Sequence, residues 1–200
     1  MNFARSSFLM LVMLTIWGCA SAPVRYYTLI PRTDSSNAAL ANTCCDVEIR
    51  SVRIPAEVDR PELVTRQSNE QVAVLSNDLW IAPLRDEVRN ALLNDIRVNL
   101  RQAQPTVTAG IKRYVVFIDV SRFESAPANY ALIQAQWRVA AAAAPKSEVQ
   151  PCTTTAQVDI AGGVSGMVLG YQQAISRVAS GITGKLLSAA DGSDYQCPNQ

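Results

Sequence analysis

The sequence predicts an α/β protein of a single domain, in which a mixed and largely antiparallel sheet carries two long helices. Two stretches, residues 82–102 and 164–186, place apolar side chains at helical spacing. Several short runs around them are rich in β-branched and aromatic residues, which is typical of strands. With 200 residues and 48% hydrophobic side chains, the chain is long enough to bury one core and too short for two comfortable domains.

The first third of the chain predicts strands and turns. Residues 26–29 predict a first strand, and residues 32–43 predict a loop. Residues 46–54 alternate between apolar and polar side chains, but the phase shifts by one residue, as a β-bulge requires. Two short β-prone runs, residues 63–65 and 71–75, are separated by polar residues and therefore predict a hairpin.

The first long helix is predicted over residues 82–102, because apolar residues recur there at spacings of four. Pro83 falls in its first turn, where a missing backbone N–H costs little. Asn77 and Asp78 are expected to cap a preceding turn. The apolar stripe consists of Trp80, Leu84, Val88, Leu92, Ile96 and Leu100.

The second half of the chain predicts a three-stranded meander followed by a helix. Residues 112–120 are apolar on both faces, which predicts a central strand that is covered on both sides or lies at a subunit contact. Residues 130–140 alternate cleanly, and residues 153–159 are rich in threonine. The helix over residues 164–186 contains glycines that cost about 1 kcal/mol each relative to alanine, so we expect it to approach the sheet closely.

The N-terminus has the pattern of a secretory signal. Arg5 supplies the positive charge, and residues 8–17 supply an apolar core. That core is too short to cross a bilayer, which needs about 20 apolar residues, so we expect an exported protein that is not integral to the membrane. Residues 16–19, Ile-Trp-Gly-Cys, resemble a bacterial lipobox, and the resemblance makes Cys19 the predicted lipid attachment residue.

Two fates of the N-terminus stay open. An acylated Cys19 would anchor the protein stably, because each buried methylene contributes about 0.8 kcal/mol and more than one chain would be attached. Cleavage near Ala20 or Ala22 by the ordinary signal peptidase would instead leave a soluble periplasmic protein. Trp17 is bulkier than the residue usually found at that position of a lipobox.

The four other cysteines are disulfide candidates, because export brings the chain into an oxidising compartment. Cys44 and Cys45 are poor partners for each other, since adjacent Cα atoms lie about 3.8 Å apart and a disulfide prefers about 5.5 Å. We therefore expect them to pair with Cys152 and Cys197 in one order or the other, which would tie the polar tail, residues 191–200, to the body. A zinc site is less favoured, because a CxxC spacing and histidine are both missing.

Little in the sequence points to catalysis. The absence of histidine removes the commonest general base and metal ligand, so we predict neither an enzyme nor a cofactor nor a metal site. A formal net charge of +1 gives no electrostatic reason to bind nucleic acid. The acidic pairs Asp46/Glu48 and Asp86/Glu87 lie beside arginines and predict solvated surfaces. Core packing is predicted for Trp80, Trp137 and Tyr171.

Several motifs taken together resemble one family. After the lipobox-like residues come Tyr26-Tyr-Thr-Leu29, then residues 47–55, residues 59–66, and Asn77-Asp-Leu-Trp-Ile-Ala-Pro-Leu84 leading into residues 92–95. Their order and spacing resemble the ABC-type transport auxiliary lipoproteins, the PqiC (paraquat-inducible protein C) family. The Y-Y-x-L start and the L-W-x-x-P-L entry to the first helix are the most specific pieces, and the similarity covers nearly all of the mature chain.

The resemblance implies a function in lipid transport. Proteins of this family are lipoproteins on the periplasmic face of the outer membrane that work with an MCE-domain protein, a permease and an ATPase. The resemblance also implies a non-enzymatic role, a homo-oligomeric ring that receives the MCE tunnel, contact with phospholipid, and a fold similar to anticodon-binding-like and TolB N-terminal domains. Ala20 after the cysteine resembles an outer-membrane sorting signal.

The chain then divides into a lipoprotein signal peptide over residues 1–18, an auxiliary lipoprotein domain over residues 19–190, and a polar tail over residues 191–200. An assembly or pilotin-like lipoprotein of another envelope complex is the alternative function. A periplasmic enzyme that works without histidine is a third.

Overall fold

The computed structural model describes residues 22–32, 44–103, 111–145 and 149–197, and these contain seven strands and two helices. Cys19 and most of the predicted loop over residues 32–43 lie outside the described residues. The elements in chain order are β1 (Arg25–Tyr27), β2 (Cys45–Arg53), β3 (Glu62–Arg66), β4 (Val72–Trp80), α1 (Leu84–Ala103), β5 (Lys112–Ala126), β6 (Tyr130–Ala141), β7 (Cys152–Asp159) and α2 (Gly163–Asp191).

The strands form two sheets. The larger has the order β2-β5-β6-β7, in which β2 is parallel to β5 and the remaining pairs are antiparallel. The smaller has the order β1-β4-β3, in which β1 is parallel to β4 and β3 is antiparallel to it. The predicted α/β class with two long helices is confirmed. The β3–β4 hairpin forms its own sheet and meets β5 through side chains, since the Thr65 hydroxyl donates to the Ser125 carbonyl at 3.1 Å.

The predicted bulge lies in β2. The register between β2 and β5 shifts between Ile49 and Ser51. Ile49 before the shift and Val52 after it are both buried. Side chains of a regular strand alternate between its two faces, so the extra residue is what keeps both apolar side chains on the core side.

Strand β5 is covered on both faces. Val115 and Val116 are adjacent and both fully buried, and adjacent residues of a strand point to opposite sides of a sheet. Helices α1 and α2 pack against each other and against the face that carries Val116. On the opposite face, the Arg138 guanidinium lies 3.7 Å from the centre of the Phe117 ring.

Helix α2 approaches the sheet closely, as its glycines predicted. A Cβ atom on Gly170 would lie 2.8 Å from the Cβ of Ala131 on β6, which is closer than two carbon atoms can pack. The helix continues to Asp191, beyond the predicted end at residue 186. It stops at Gly192, whose backbone has a φ of 80° and whose N–H donates to the Ser188 carbonyl at 2.8 Å.

The start of α1 differs from the prediction. Asn77, Asp78 and Trp80 belong to β4, and the helix begins at Leu84. Trp80 pairs in register with Tyr27 of β1, and its ring packs edge-on against the rings of Phe123 and Tyr171. Trp80 and Leu84 are four residues apart, but Trp80 is an inward-facing residue of β4 and Leu84 is the first residue of α1. Their spacing therefore does not belong to one helix.

The expected disulfide pairing is also corrected. Cys152 pairs with Cys197, and Cys44 is joined to its neighbour Cys45. Strands β2 and β7 are opposite edges of the four-stranded sheet, and three strand spacings of about 4.8 Å hold Cys44 and Cys45 too far from Cys152 for a bridge. The Cα atoms of Cys152 and Cys197 are 5.3 Å apart, so this single disulfide ties the tail to β7.

Candidate functional site

The N-terminal segment, residues 22–32, is the described part of the chain that lies nearest to Cys19 in sequence. It enters the body through β1, which pairs with the end of β4 in the register Arg25 to Asp78 and Tyr27 to Trp80. The Ile81 N–H then donates to the Tyr27 carbonyl at 2.9 Å. A three-residue strand has few backbone hydrogen bonds, so its side chains must contribute to holding it in place.

Asp78 is the first side chain that holds the segment. The Arg25 guanidinium donates to both of its carboxylate oxygens, at 2.7 and 3.0 Å, and the Tyr27 hydroxyl donates to one of them at 3.1 Å. The hydrogen bond to Asp78 raises the pKa of Arg25, and partial burial followed by the same carboxylate raises the pKa of Tyr27. The Asp78 side chain is almost fully buried, so it depends on these donors for hydrogen bonding.

Glu87 is the second side chain that holds the N-terminal segment. One of its carboxylate oxygens accepts hydrogen bonds from the Thr28 hydroxyl and from the Leu29 backbone N–H, both at 2.8 Å. The Leu29 side chain is fully buried in the core, and the Gln172 amide of α2 donates to the Thr28 carbonyl at 3.1 Å. Strand β4, helix α1 and helix α2 therefore all bind the segment that follows the predicted anchor.

An apolar surface lies beside this segment. Four large hydrophobic residues that are exposed to solvent come from the segment or from the residue bonded to it, and we call them the N-terminal patch. Tyr26 pairs in register with Leu79 of β4 on the strand that carries Asp78. The N-terminal patch consists of Val24, Tyr26, Ile30 and Ile81.

A second polar cluster joins the two sheets. Glu124 of β5 forms ion pairs with Arg66 of β3 and with Arg122, and it accepts a hydrogen bond from the Tyr130 hydroxyl at 3.2 Å. Burial alone would raise the pKa of Glu124, but the hydrogen bonds from Arg66 and Arg122 together hold it below its ordinary value. The carboxylate is saturated by donors, so the cluster is suited to joining the sheets and not to proton transfer.

The described surface includes a small cavity and a larger groove. A cavity of about 120 Å³ between β3 and β5 is lined by Val58, Val64 and Phe123 among others. That volume is smaller than the roughly 300–1,000 Å³ of most ligand pockets. An open groove of about 740 Å³ lies beside the Cys152–Cys197 disulfide, with Lys185 among its mostly polar walls.

The acids that hold the segment were missed from the sequence. Asp78 was expected in a helix-capping turn, and Glu87 was expected on a solvated face; the structure buries both and bonds them to the N-terminal segment. The sequence signal for Glu87 is its spacing, because it lies three residues after Leu84 and four before Ala91, which are both on the buried face of α1. The three aromatic residues predicted to pack in the core, Trp80, Trp137 and Tyr171, are buried.

The structure brings few other predicted site residues together. Cys152 and Cys197 meet at the tail, while Cys44 and Cys45 lie at the start of β2. Among the residues that the structure describes, no group of three or more His, Cys, Asp or Glu side chains could hold a metal ion. Across those same ranges, neither helix combines the length and the apolar character needed to cross a membrane.

Comparisons with known proteins place the chain among relatives. A family model described as ABC-type transport auxiliary lipoprotein component matches residues 27–183. A crystal structure of an uncharacterized protein matches with a TM-score of 0.62 at 19% identity, covering 82% of this chain and 99% of that one. A crystal structure of a Xanthomonas campestris protein of a family of unknown function matches with a TM-score of 0.59 at 18% identity, covering 86% and 96%. At these identities the two structures show the fold alone, and no curated protein matches the chain.

Proposed function

The chain belongs to the family of ABC-type transport auxiliary lipoprotein components, and from that premise we propose that it docks an MCE-domain protein at the outer membrane. In this proposal Cys19 carries the acyl chains, and residues 19–190 form a domain on the periplasmic face. The protein assists the movement of phospholipid between the two membranes without catalysing a reaction.

The observation that carries the proposal is the attachment of the N-terminal segment. Asp78 and Glu87 bond to residues of this segment, and Leu29 is buried in the core, so the body begins only a few residues after Cys19. A protein built in this way holds its folded domain close to the bilayer and cannot reach far from it. Such a geometry suits a fixed docking platform better than a freely diffusing carrier.

The proposed partner recognition is through shape and adhesion. The acids with the most hydrogen-bond donors, Asp78 and Glu124, are bonded within the fold, which favours a structural role for them over proton transfer. Several copies arranged as a ring would offer the MCE tunnel a seat and an exit for lipid. This assembly belongs to the proposal, as does the absence of enzymatic activity.

Capture of the partner tests the docking role. A tagged form that lacks residues 1–19 is mixed with a lysate containing the MCE protein encoded with the same transporter, and an MCE protein from an unrelated system serves as the control. We expect selective retention of the cognate protein. Retention of neither protein, under conditions in which a matched pair of the family binds, contradicts the docking role, and retention of a component of a secretion complex favours the pilotin-like alternative.

Mass spectrometry of the N-terminus tests the anchor separately. Protein from the native host should begin at Cys19 and carry three acyl chains, and it should fractionate with the outer membrane. A Cys19→Ser variant should lose both properties. An unmodified N-terminus near Ala20 or Ala22, with protein free in the periplasmic fraction, contradicts the anchored function.

A further inference from the structure

We propose that the N-terminal patch rests on the phospholipid surface that holds the anchor, so that the β1 end of the domain faces the bilayer. This inference rests on the acylated Cys19 of the proposed function and adds an orientation to it. A tether alone leaves a domain free to turn, whereas an apolar contact beside the tether fixes which surface remains available to a partner.

The tether is too short to carry the patch away from the membrane. Val24 lies five positions after Cys19 in the sequence, and at about 3.3–3.6 Å per residue this distance is at most roughly 18 Å. The body holds Arg25, Thr28 and Leu29 through hydrogen bonds to Asp78 and Glu87. The tether between the acyl anchor and the folded domain therefore ends at β1. The N-terminal patch therefore lies close to the headgroup layer in every pose that the tether allows.

Exposed apolar side chains occur together at this end of the molecule. In the described parts of the chain, four of the eight exposed large hydrophobic residues belong to the N-terminal patch, and the other four are Val72, Val74, Ile111 and Leu169. Tyr26 is 61% exposed and Ile81 is 60% exposed, and each lies next to a residue that pairs in the β1–β4 register, Tyr27 and Trp80 respectively. Clustered exposed apolar residues mark a contact surface, and the position of the tether selects the bilayer as its occupant.

The chemistry of the segment also suits a phospholipid surface. Residues 22–32 contain Arg25 and Arg32 and no acidic residue, and because Asp78 pairs with Arg25, Arg32 supplies the positive charge that the segment offers to lipid phosphates. Tyr26 presents an apolar ring with a polar hydroxyl, the combination that is enriched where membrane meets water. The segment thus combines apolar contacts with a positive charge balance.

Quenching by brominated lipid tests the contact. The mature lipoprotein with its native acyl chains is reconstituted into vesicles of phosphatidylethanolamine and phosphatidylglycerol, with or without bromine on the lipid chains. The reporter is Tyr26→Trp, and the matched control is Val72→Trp, because Val72 is also 61% exposed. Val72 is the first residue of β4 and lies seven residues, or about 23 Å, from the Leu79 that pairs with Tyr26.

We expect the emission at position 26 to shift to shorter wavelength in vesicles and to lose intensity with brominated lipid, while the emission at position 72 changes in neither respect. Trp80 and Trp137 are buried and contribute the same background to both variants. Adding Ile81→Ser to the reporter should reduce the quenching, whereas adding Val74→Ser, another exposed site on β4, should not.

The outcomes separate the inference from the function on which it rests. Protein that floats with the vesicles but shows equal quenching, or none, at both positions overturns the contact and leaves the anchor intact. Protein that does not float with the vesicles overturns both, because the patch is brought to the bilayer by the acyl chains. A shift in emission at position 26 that follows protein concentration in detergent, without lipid, assigns the patch to a second copy and overturns the proposal.

Discussion

Replacement of Asp78 should release β1 without unfolding the domain. In the Asp78→Asn variant the carboxylate that accepts hydrogen bonds from Arg25 and Tyr27 loses its charge and one acceptor oxygen. The two helices and the four-stranded sheet contact one another directly, so these contacts remain when the carboxylate is replaced. The expected effect is therefore local opening of the N-terminal strand.

The size of the effect on β1 opening is set by the hydrogen bond from the Tyr27 hydroxyl to the buried Asp78 carboxylate. A hydrogen bond to a charged group contributes roughly 1.5–3 kcal/mol, and we take the lower end because the Tyr27 phenol is partly exposed. The guanidinium of Arg25 is mostly exposed, so water replaces much of its contact and we add nothing for it. A loss of about 1.5 kcal/mol corresponds to an increase of about tenfold in the opening equilibrium of β1.

Native-state hydrogen exchange measures this opening at single amides. The Ile81 N–H bonds to Tyr27 on the β1 side, whereas the adjacent Trp80 N–H bonds to the Pro61 carbonyl on the other side, at 2.8 Å. Exchange at Ile81 should accelerate about tenfold in the Asp78→Asn variant, and exchange at Trp80 should not change. Asp119→Asn, which removes an exposed ion pair with Arg53, should leave both amides unchanged.

Equal acceleration at Ile81 and Trp80 would refute the reasoning, because it would mean that Asp78 stabilises the whole sheet. An unchanged rate at Ile81 would refute it too, because β1 would then be held by its backbone and by Glu87 alone.

Three further substitutions probe the packing, the electrostatics and the tail. Gly170→Ala should destabilise the protein, because overpacking against Ala131 costs about 1–3 kcal/mol and outweighs the gain of about 1 kcal/mol in helix propensity; a higher urea midpoint would contradict the close approach. Asp95→Asn should stabilise the protein near neutral pH, since burial raises the pKa of Asp95 and the carboxyl therefore favours folding only while it is protonated. That gain should disappear in urea titrations below the unfolded pKa of about 3.9, and a gain independent of pH would argue against the assignment. Cys197→Ser opens a link to Cys152 across a sequence separation of 45 and should cost about 4 kcal/mol, seen as a lower unfolding midpoint in urea without reductant; an unchanged midpoint would show that the tail is held without the disulfide.

Local patterns predicted the elements of this fold well. The bulge in β2 could be foreseen because its apolar phase shifts by one residue, and the structure places the register shift between Ile49 and Ser51. The approach of α2 to the sheet could be foreseen because glycine destabilises a helix and is expected mainly where a side chain would clash with a neighbouring element. At Gly170 that neighbour is Ala131 of β6. Both features are encoded within a few neighbouring residues.

The errors came from long-range relations that spacing does not encode. Glu87 was assigned to solvent because it follows Asp86 and lies near arginines, but its partners are the Thr28 hydroxyl and the Leu29 amide, which are distant in sequence. The cysteine pairing failed partly for the same reason, since the distance of Cys44 and Cys45 from Cys152 depends on which strands form opposite edges of the sheet. It also failed because the short Cα distance between neighbours did not exclude the Cys44–Cys45 link. Composition constrains neither the strand order nor the partner of a buried carboxylate.

The parallel pairing of β1 with β4 has a mechanical consequence. Tension on the acylated end pulls β1 along its own axis. The bonds that join β1 to Asp78 and Ile81, and those that join the next two residues to Glu87, run across that axis. The load is therefore shared by these bonds in shear, and they are not peeled apart one after another. A partner that pulls on the domain would thus load all of these bonds together before it strips the first strand.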